Sequence, residues 1–333
     1  MTGDIYDIVG GAFAVDLLMT LQDRDALDLL AEPRHPSEIA AVLSGDKDMI
    51  RGALDFLAAT TSIVVALDAE RFQLAARYRT YNSLGFQLDK FMRAYGPAVS
   101  SLGRPTSTAL SSGIGVDAAA LANAFARRTS AHPSLTARII RAWPVEGLVD
   151  LGCGAGSVLI ELARADPTFR GWGIDVNSSM VEAAQARAHE AGVADQVQFV
   201  RGGVHQLATL VPRVGFDEAA LHARSLLNEF FADGPAAATE VVATIRDVFA
   251  GRLLFVEDYY GRLGTSHGGD FRHSHLQDLV QVASGQGIPP DGFEGWAALY
   301  EAAGCSVLHR YEGHDDGVAW FVHVVLLGSS AAG

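Results

Sequence analysis

The 333 residues are 49% hydrophobic and 19% charged, which is enough apolar content and length for two packed domains. A formal net charge of −14 repels nucleic-acid phosphates and anionic lipid and argues against both as general partners. Two cysteines, Cys153 and Cys305, give neither a disulfide framework nor a zinc cluster and fit a reducing cytoplasm.

The start, Met1-Thr2-Gly3-Asp4, carries acid where a signal peptide carries base, and no apolar run approaches the roughly 20 residues that span a bilayer. The expectation is a soluble, cytoplasmic chain. Ile5, Ile8, Val9, Phe13, Leu17, Leu18 and Leu21 recur at helical spacing and predict a first helix with a broad apolar face. A short helical stretch covers Asp25 to Leu30. His35-Pro36-Ser37-Glu38 then opens a helix, with proline in the first turn, that ends at Gly45. Asp46 caps another, carrying Met49, Ile50, Leu54 and Leu57. Residues 63–67 and 72–74, around the turn Asp68-Ala69-Glu70, predict a small hairpin.

Helices followed by a two-stranded wing predict a winged-helix-like domain over residues 1–100. Its would-be reader helix has Lys47 and Arg51 but also Asp46, Asp48 and Asp55, whereas a DNA reader needs a net-positive face. The expected role is therefore packing and dimerisation. Residues 81–144 are mostly helical, broken by a Ser/Gly/Pro-rich linker from Ser100 to Gly115, and residues 101–144 read as a helical connector. From Glu146 onward strands alternate with helices, the pattern of a doubly wound sheet over residues 145–333.

Gly147 to Leu151 is a short apolar strand that runs into Gly152-Cys153-Gly154-Ala155-Gly156-Ser157 and then a helix. Glycines there permit a tight turn and remove the Cβ atoms that would collide with a ligand across the strand end. The next strand, Gly171 to Val176, carries Asp175, an acid suited to the two hydroxyls of an adenosine ribose. The Gly-x-Gly-x-Gly spacing, preceded by Asp150, differs from the Gly-x-Gly-x-x-Gly of dinucleotide binders.

Residues 149–156, Val-Asp-Leu-Gly-Cys-Gly-Ala-Gly, resemble motif I of class I S-adenosylmethionine-dependent methyltransferases. With the helical front end, nearly the whole chain resembles the dimeric two-domain small-molecule methyltransferases, among them natural-product O-methyltransferases and α-keto acid C-methyltransferases. The resemblance implies an α/β fold: a Rossmann-like domain with a mostly parallel seven-stranded sheet, behind an N-terminal, mainly α-helical, winged-helix-like dimerisation domain. It implies S-adenosyl-L-methionine as cofactor, held by Asp150, Gly152, Gly154, Gly156, Asp175, Val176, Gly203 and Val204. It also implies a small-molecule substrate and a homodimer of specialised metabolism.

Two departures from the resembled pattern stand out. Gly203 occupies the place of the aspartate that contacts the adenine amino group, and Asn228 that of the histidine base. An amide takes no proton at neutral pH, so the expected acceptor is a carbon or a heteroatom needing no histidine base. Asn228, with approximately Gln281, also replaces the metal-binding histidines of some keto acid enzymes, so that metal site does not carry over. Catalytic candidates are Asn228, Tyr259, Glu229 and His222. Each has a plainer alternative: an apolar packing residue for Tyr259, a core histidine for His222, an exposed helix carboxylate for Glu229. Tyr260 can box the sulfonium, and Glu257 or Asp258 can orient an amine. His267, His273 and His275, near Asp270, form either a solvated lid or a metal site, and no metal is expected. His309, His314 and His323 read as surface or satisfied core histidines. Residues 86–92 offer an apolar face for core, dimer contact or pocket roof. Two alternatives keep the cofactor: a non-methylating enzyme that consumes it, releasing methylthioadenosine, and a cofactor-sensing DNA-binding regulator.

Overall fold

The computed structural model describes residues 4–79, 83–101, 115–127, 134–210, 219–263, 272–315 and 318–329. They form two compact units, Met1–Lys90 with Arg127–His132, and Phe91–Ala126 with Pro133–Gly333.

In the first unit, polar residues at helix starts satisfy backbone N–H groups that have no partner within the helix. Asp4 accepts from Tyr6 and Asp7 at the start of α1 (Ile5–Asp23). The short α2 (Ala26–Leu29) follows. Glu38 accepts the His35 N–H at 2.8 Å, and Pro36 opens α3 (Pro36–Leu43). Asp46 caps α4 (Lys47–Thr60). The strands β1 (Val64–Ala66) and β2 (Phe72–Leu74) pair antiparallel, and Arg34 bridges to Phe72. Leu18, Leu27, Ile39, Leu54, Leu57 and Phe72 make the core of this unit. Arg51 on α4 donates to the Ala69 carbonyl and pairs with Asp55.

The apolar positions of α1 do not all turn inward. Ala14, Leu18 and Leu21 are buried, whereas Ile5, Ile8, Val9 and Phe13 are exposed. With 19 residues and a mean hydropathy of 1.3, α1 is also long and apolar enough to cross a membrane. That corrects the expectation that no apolar run approaches such a length. Asp7 and Asp16 interrupt the run in sequence, yet its average stays high. The helices α5 (Ala76–Arg79) and α6 (Ser83–Gln87) lead into a π-type turn at Leu88–Ala94, across which the units divide. Leu88 belongs to the core of the first unit, while Phe91 packs with Tyr95 and Val280 in the second.

The second unit begins with α7 (Gly96–Ser100), α8 (Ala118–Arg127) and α9 (Leu135–Arg141). Most of the Ser100–Gly115 stretch lies outside the described residues. The described residues of the expected 101–144 connector fall in the same unit as the sheet, apart from Arg127, which falls to the first unit. Then come β3 (Gly147–Leu151), α10 (Ser157–Ala165), β4 (Arg170–Asp175), α11 (Ser178–Glu190) and β5 (Val197–Arg201). The chain continues through α12 (Leu207–Leu210), β6 (Ala220–Arg224), α13 (Pro235–Val248) and β7 (Leu253–Tyr259). It closes with α14 (Arg272–Ala283), α15 (Phe293–Ala302), β8 (Ser306–Asp315) and β9 (Val318–Leu326).

The sheet order is β5-β4-β3-β6-β7-β9-β8, parallel from β5 to β7, with β9 antiparallel to both its neighbours. All of β3 is buried, Asp150 included, as in a parallel strand covered on both faces. Order reverses between β3 and β6, which opens a crevice beyond their carboxyl ends. The Phe199 ring lies across Gly156 and Gly173, where an added Cβ would stand 2.6 and 2.4 Å from it. Gly173→Ala is expected to lower unfolding stability by about 1–3 kcal/mol, because the ring would have to leave its packed position. Chemical denaturation of the two proteins measures this.

Candidate active site

Three glycines after β3 adopt left-handed backbone, with φ of 66° at Gly152, 52° at Gly154 and 72° at Gly156. An added Cβ at Gly154 would meet nothing within 4 Å, so the turn presents bare backbone to open space. The turn is tied from two sides. Asp175, at the end of β4, accepts the Gly154 N–H at 2.9 Å through one oxygen and the Asn177 N–H at 2.8 Å through the other. From α11, Arg187 donates to the Ala155 carbonyl and, at 3.0 Å, to the Ser157 hydroxyl. A carboxylate has about four lone-pair sites, so Asp175 keeps capacity for a sugar diol.

Beyond β5, both polar backbone groups of Gly203 are spent on Gln206: its N–H donates to the side chain at 3.0 Å and its carbonyl accepts the backbone N–H at 2.9 Å. Val176 is exposed and Val204 buried nearby. The apolar surface of Val176 and Val204 is thus what this corner offers an adenine.

One oxygen of the Asp150 carboxylate is committed within the sheet. It is buried in β3, where the parallel register sets it beside His222 of β6, and the two bond at 2.7 Å. The other nitrogen of the His222 ring lies 3.6 Å from Glu257, which also accepts from Thr136 of α9 at 2.6 Å and pairs with Arg224 at 3.2 Å. Burial opposes charging of His222, but Asp150 and then Glu257 outweigh it and push its pKa up to about 9. Burial likewise opposes charging of Glu257, yet Arg224, His222 and Thr136 hold it at about 2. Two anions and two cations therefore alternate across three strands.

A 3-10 turn at Leu227–Asp233 follows β6, entered through Ser225, a non-glycine residue at φ 47°. Such backbone is uncommon outside glycine and gathers at functional sites. Asn228 is buried in this turn and its Oδ1 has no partner. Glu229 is exposed, as the plainer reading of it expected, although protein atoms gather around its carboxyl. That crowding, with the charge of Asp175, pushes its carboxyl up to about 7. Asp258, on β7, is 4% exposed. One of its oxygens accepts the Tyr259 N–H at 2.9 Å and the other has no partner.

The Tyr259 hydroxyl is committed. It donates at 2.8 Å to Asp278 of α14, which also accepts the N–H groups of Arg262 and Leu263. Burial and the Asp278 charge push this phenol well above its ordinary range, so Tyr259 fixes the strand end. The Tyr260 hydroxyl donates to Glu312 at 2.7 Å and lies 3.2 Å from His323, which also meets Tyr300. His323 is a satisfied core histidine, and burial pushes its pKa down to about 3. His309 is exposed. His267 and Asp270 lie outside the described residues, as do the side chains of His273 and His314. Among the described residues no group of three or more His, Cys, Asp or Glu is placed to hold a metal.

Comparison with known proteins agrees with this arrangement. Residues 148–244 match the family model of a methyltransferase domain. The chain carries a class I S-adenosylmethionine-dependent methyltransferase domain. S-adenosylmethionine is its cofactor, and the open left-handed turn with an acid beside it fits that molecule. Solved structures share the fold over almost the whole chain. The mitomycin 7-O-methyltransferase MmcR is 18% identical, covers 97% of each chain and has a TM-score of 0.67. The N,N-8-amino-8-demethyl-D-riboflavin dimethyltransferase RosA of Streptomyces davawensis is 19% identical, covers 98% of each, with a TM-score of 0.60. LepI in complex with S-adenosylmethionine is 15% identical over 98% of this chain and 90% of that one, TM-score 0.66. A stretch of 63 residues is 40% identical to an uncharacterized protein, YjhP, of Escherichia coli K12. It spans 19% of this chain and only a quarter of that protein.

In this methyltransferase domain Gly152, Gly154, Gly156 and Asp175 come together as one cradle. Asp150 and His222 lie directly beneath it as a buried ion pair. Asn228 and Glu229 share the turn after β6. Sequence reasoning missed Arg187, Thr136 and Arg224, because each acts through strand register or helix packing and has no motif of its own.

Replacing His222 by leucine leaves the buried Asp150 without its partner and Glu257 with Arg224 and Thr136 alone, with an expected loss of about 3–5 kcal/mol in denaturant unfolding. The native quartet also sets a pH dependence. His222, raised from 6.5 to about 9, contributes fully below pH 6.5 and loses its contribution as pH rises through 9. Glu257, lowered from 4.5 to about 2, contributes fully above pH 4.5 and loses its contribution as pH falls through 2. Both contributions are complete only between pH 4.5 and 6.5. Thermal melts across pH are expected to decline on the alkaline side of that window, and less steeply for His222→Leu.

Proposed function

We propose that the chain methylates a small molecule of specialised metabolism, at carbon or at a heteroatom that needs no histidine base. Asn228 carries this reading: a buried amide stands where the resembled O-methyltransferases have their histidine, and an amide takes no proton. The cofactor supplies an electrophilic methyl group. The residues of this chain bind and orient it: Asp175 grips the ribose, the bare backbone of 152–156 lets the methionine end lie close, and Val176 and Val204 flank the adenine. Much of the acceleration then comes from alignment and exclusion of water.

Glu229 is the candidate base in this reading, and the Asp150–His222 pair braces the strand end below the cradle. Incubation with labelled cofactor and a panel of α-keto acids, phenols and amines is expected to yield a methylated product and S-adenosylhomocysteine. No methylated product from any member of a broad panel would contradict the proposal. Asp175→Ala is expected to weaken S-adenosylhomocysteine binding roughly ten- to hundredfold in calorimetry. That is the loss of a charge-assisted bond of about 1.5–3 kcal/mol.

The same reading includes a cytoplasmic homodimer, joined through a winged-helix-like N-terminal unit. The exposed Ile5, Ile8, Val9 and Phe13 of α1 support a self-association face. The two free buried cysteines suit a reducing compartment. Sedimentation is expected to give a dimer, and a monomer for Phe13→Asp; a monomeric parent protein would contradict this part.

A further inference from the structure

The turn Leu227–Asp233 carries Asn228 and Glu229 at the carboxyl end of β6, a strand that borders the crevice. It is stopped on two sides. Just before it, the Leu226 side chain lies against Gly152 of the cofactor cradle, where an added Cβ would stand 3.2 Å from the leucine Cδ1. Farther on, the Phe231–Ala232 backbone meets Gly287, in the segment 284–291 between α14 and α15. The approach there is backbone to backbone: an added Cβ on Gly287 would overlap the Phe231 carbonyl and the Ala232 nitrogen. Gly287 lies outside the left-handed region, so its own conformation does not call for glycine; its closeness to the turn does.

Neither side gives way cheaply. The segment is pinned from behind: Gln286 donates to the Gln281 carbonyl at 2.8 Å, Gly261 to the Pro290 carbonyl at 3.2 Å and Arg262 to the Asp291 carbonyl at 3.0 Å. Pro289 and Pro290 fix their own φ angles. An added Cβ on Gly261 would overlap the Pro289 carbonyl, so the segment already rests on the chain that leaves β7. On the side of the turn, the Phe231 ring stands edge-on to the fully buried Trp296 at 5.4 Å, and the Gly234 N–H donates to the Phe231 carbonyl at 3.0 Å. Extra volume at Gly287 therefore moves the turn, and Asn228 and Glu229 with it, by about 1 Å or more.

We propose that Gly287 is a positioning residue for methyl transfer: through it the segment 284–291 holds the Asn228 turn against the cofactor cradle and sets the distance from acceptor to methyl group. The proposal rests on the methyltransferase reading above, in which this turn borders the acceptor. Gly287 has no side chain to offer a ligand and acts through the Phe231 backbone. Alignment is steep in distance, and a misplacement of about 1 Å costs on the order of a hundredfold in rate. The cradle itself is tied by Asp175 and Arg187, so cofactor affinity is set apart from this contact.

The test compares Gly287→Ala with the parent protein and with Gly171→Ala, whose added methyl crowds Leu159 and Phe169 near the amino end of β4, away from the crevice. Circular dichroism checks each fold, and calorimetry with S-adenosylhomocysteine measures cofactor affinity. Labelled cofactor with the best acceptor of the α-keto acid, phenol and amine panel gives kcat and KM. Gly287→Ala is expected to lower kcat roughly ten- to a hundredfold and to leave S-adenosylhomocysteine affinity within about threefold. Gly171→Ala is expected to keep kcat within about twofold. Leu226→Ala removes the other stop without adding volume, and a fall in kcat of about fivefold or more is expected there too. Full kcat in a folded Gly287→Ala would overturn the proposal, and so would an equal fall in Gly171→Ala. Should Gly287→Ala not fold, Leu226→Ala decides, and full kcat in it overturns the proposal. A parent protein that methylates no acceptor would instead overturn the reading on which the proposal rests.

Discussion

The turn after β3 depends on three residues that accept positive φ within five positions, and on a carboxylate that holds the turn in that shape. Asp175 uses both oxygens on backbone N–H groups, one in the turn itself and one at the start of α11. A strand, a turn and two helices are thereby fixed relative to one carboxyl group. Everything else in the second unit keeps this group and this turn in register. Arg187 braces the turn from α11, the Phe199 ring fills the space that Gly156 and Gly173 leave, and the sheet reverses order next to it. The turn is thus built largely from backbone.

Beneath that turn the sheet accepts a cost. Four ionisable groups, Asp150, His222, Glu257 and Arg224, sit within three adjacent parallel strands, where isolated charges would be strongly disfavoured. They are tolerated because they alternate in sign and because Thr136 satisfies a remaining lone pair. One cradle therefore stands on a rigid polar base.

Much of this was legible in the sequence. The short strands at Gly147–Leu151 and Gly171–Val176 with their glycine turn give β3 and β4, and Asp46 and the His35-Pro36-Ser37-Glu38 start mark their helices. The glycine spacing and Asp175 give the cradle, since both requirements are local. Asn228 was legible as a departure from a resembled pattern. What was not legible depends on register and packing. Asp150 looked like a cofactor ligand until β6 brought His222 beside it. Tyr259 looked like a free phenol at a strand end, but α14, distant in sequence, supplies Asp278 to bind it. The burial that perturbs Asp258 leaves no trace in composition. In α1 the spacing predicts one buried face, yet much of the apolar surface stays exposed, because a periodicity says nothing about which stripe meets a core.

The central claim is that the 152–156 turn and Asp175 hold the adenosyl part of S-adenosylmethionine. A crystal structure of the protein soaked with S-adenosylhomocysteine tests it most directly. The account predicts the ribose hydroxyls on the carboxylate of Asp175, the sulfur end over Gly154, and the adenine against Val176 and Val204. Nucleoside density elsewhere on the chain, with this turn left empty at saturating ligand, would contradict it.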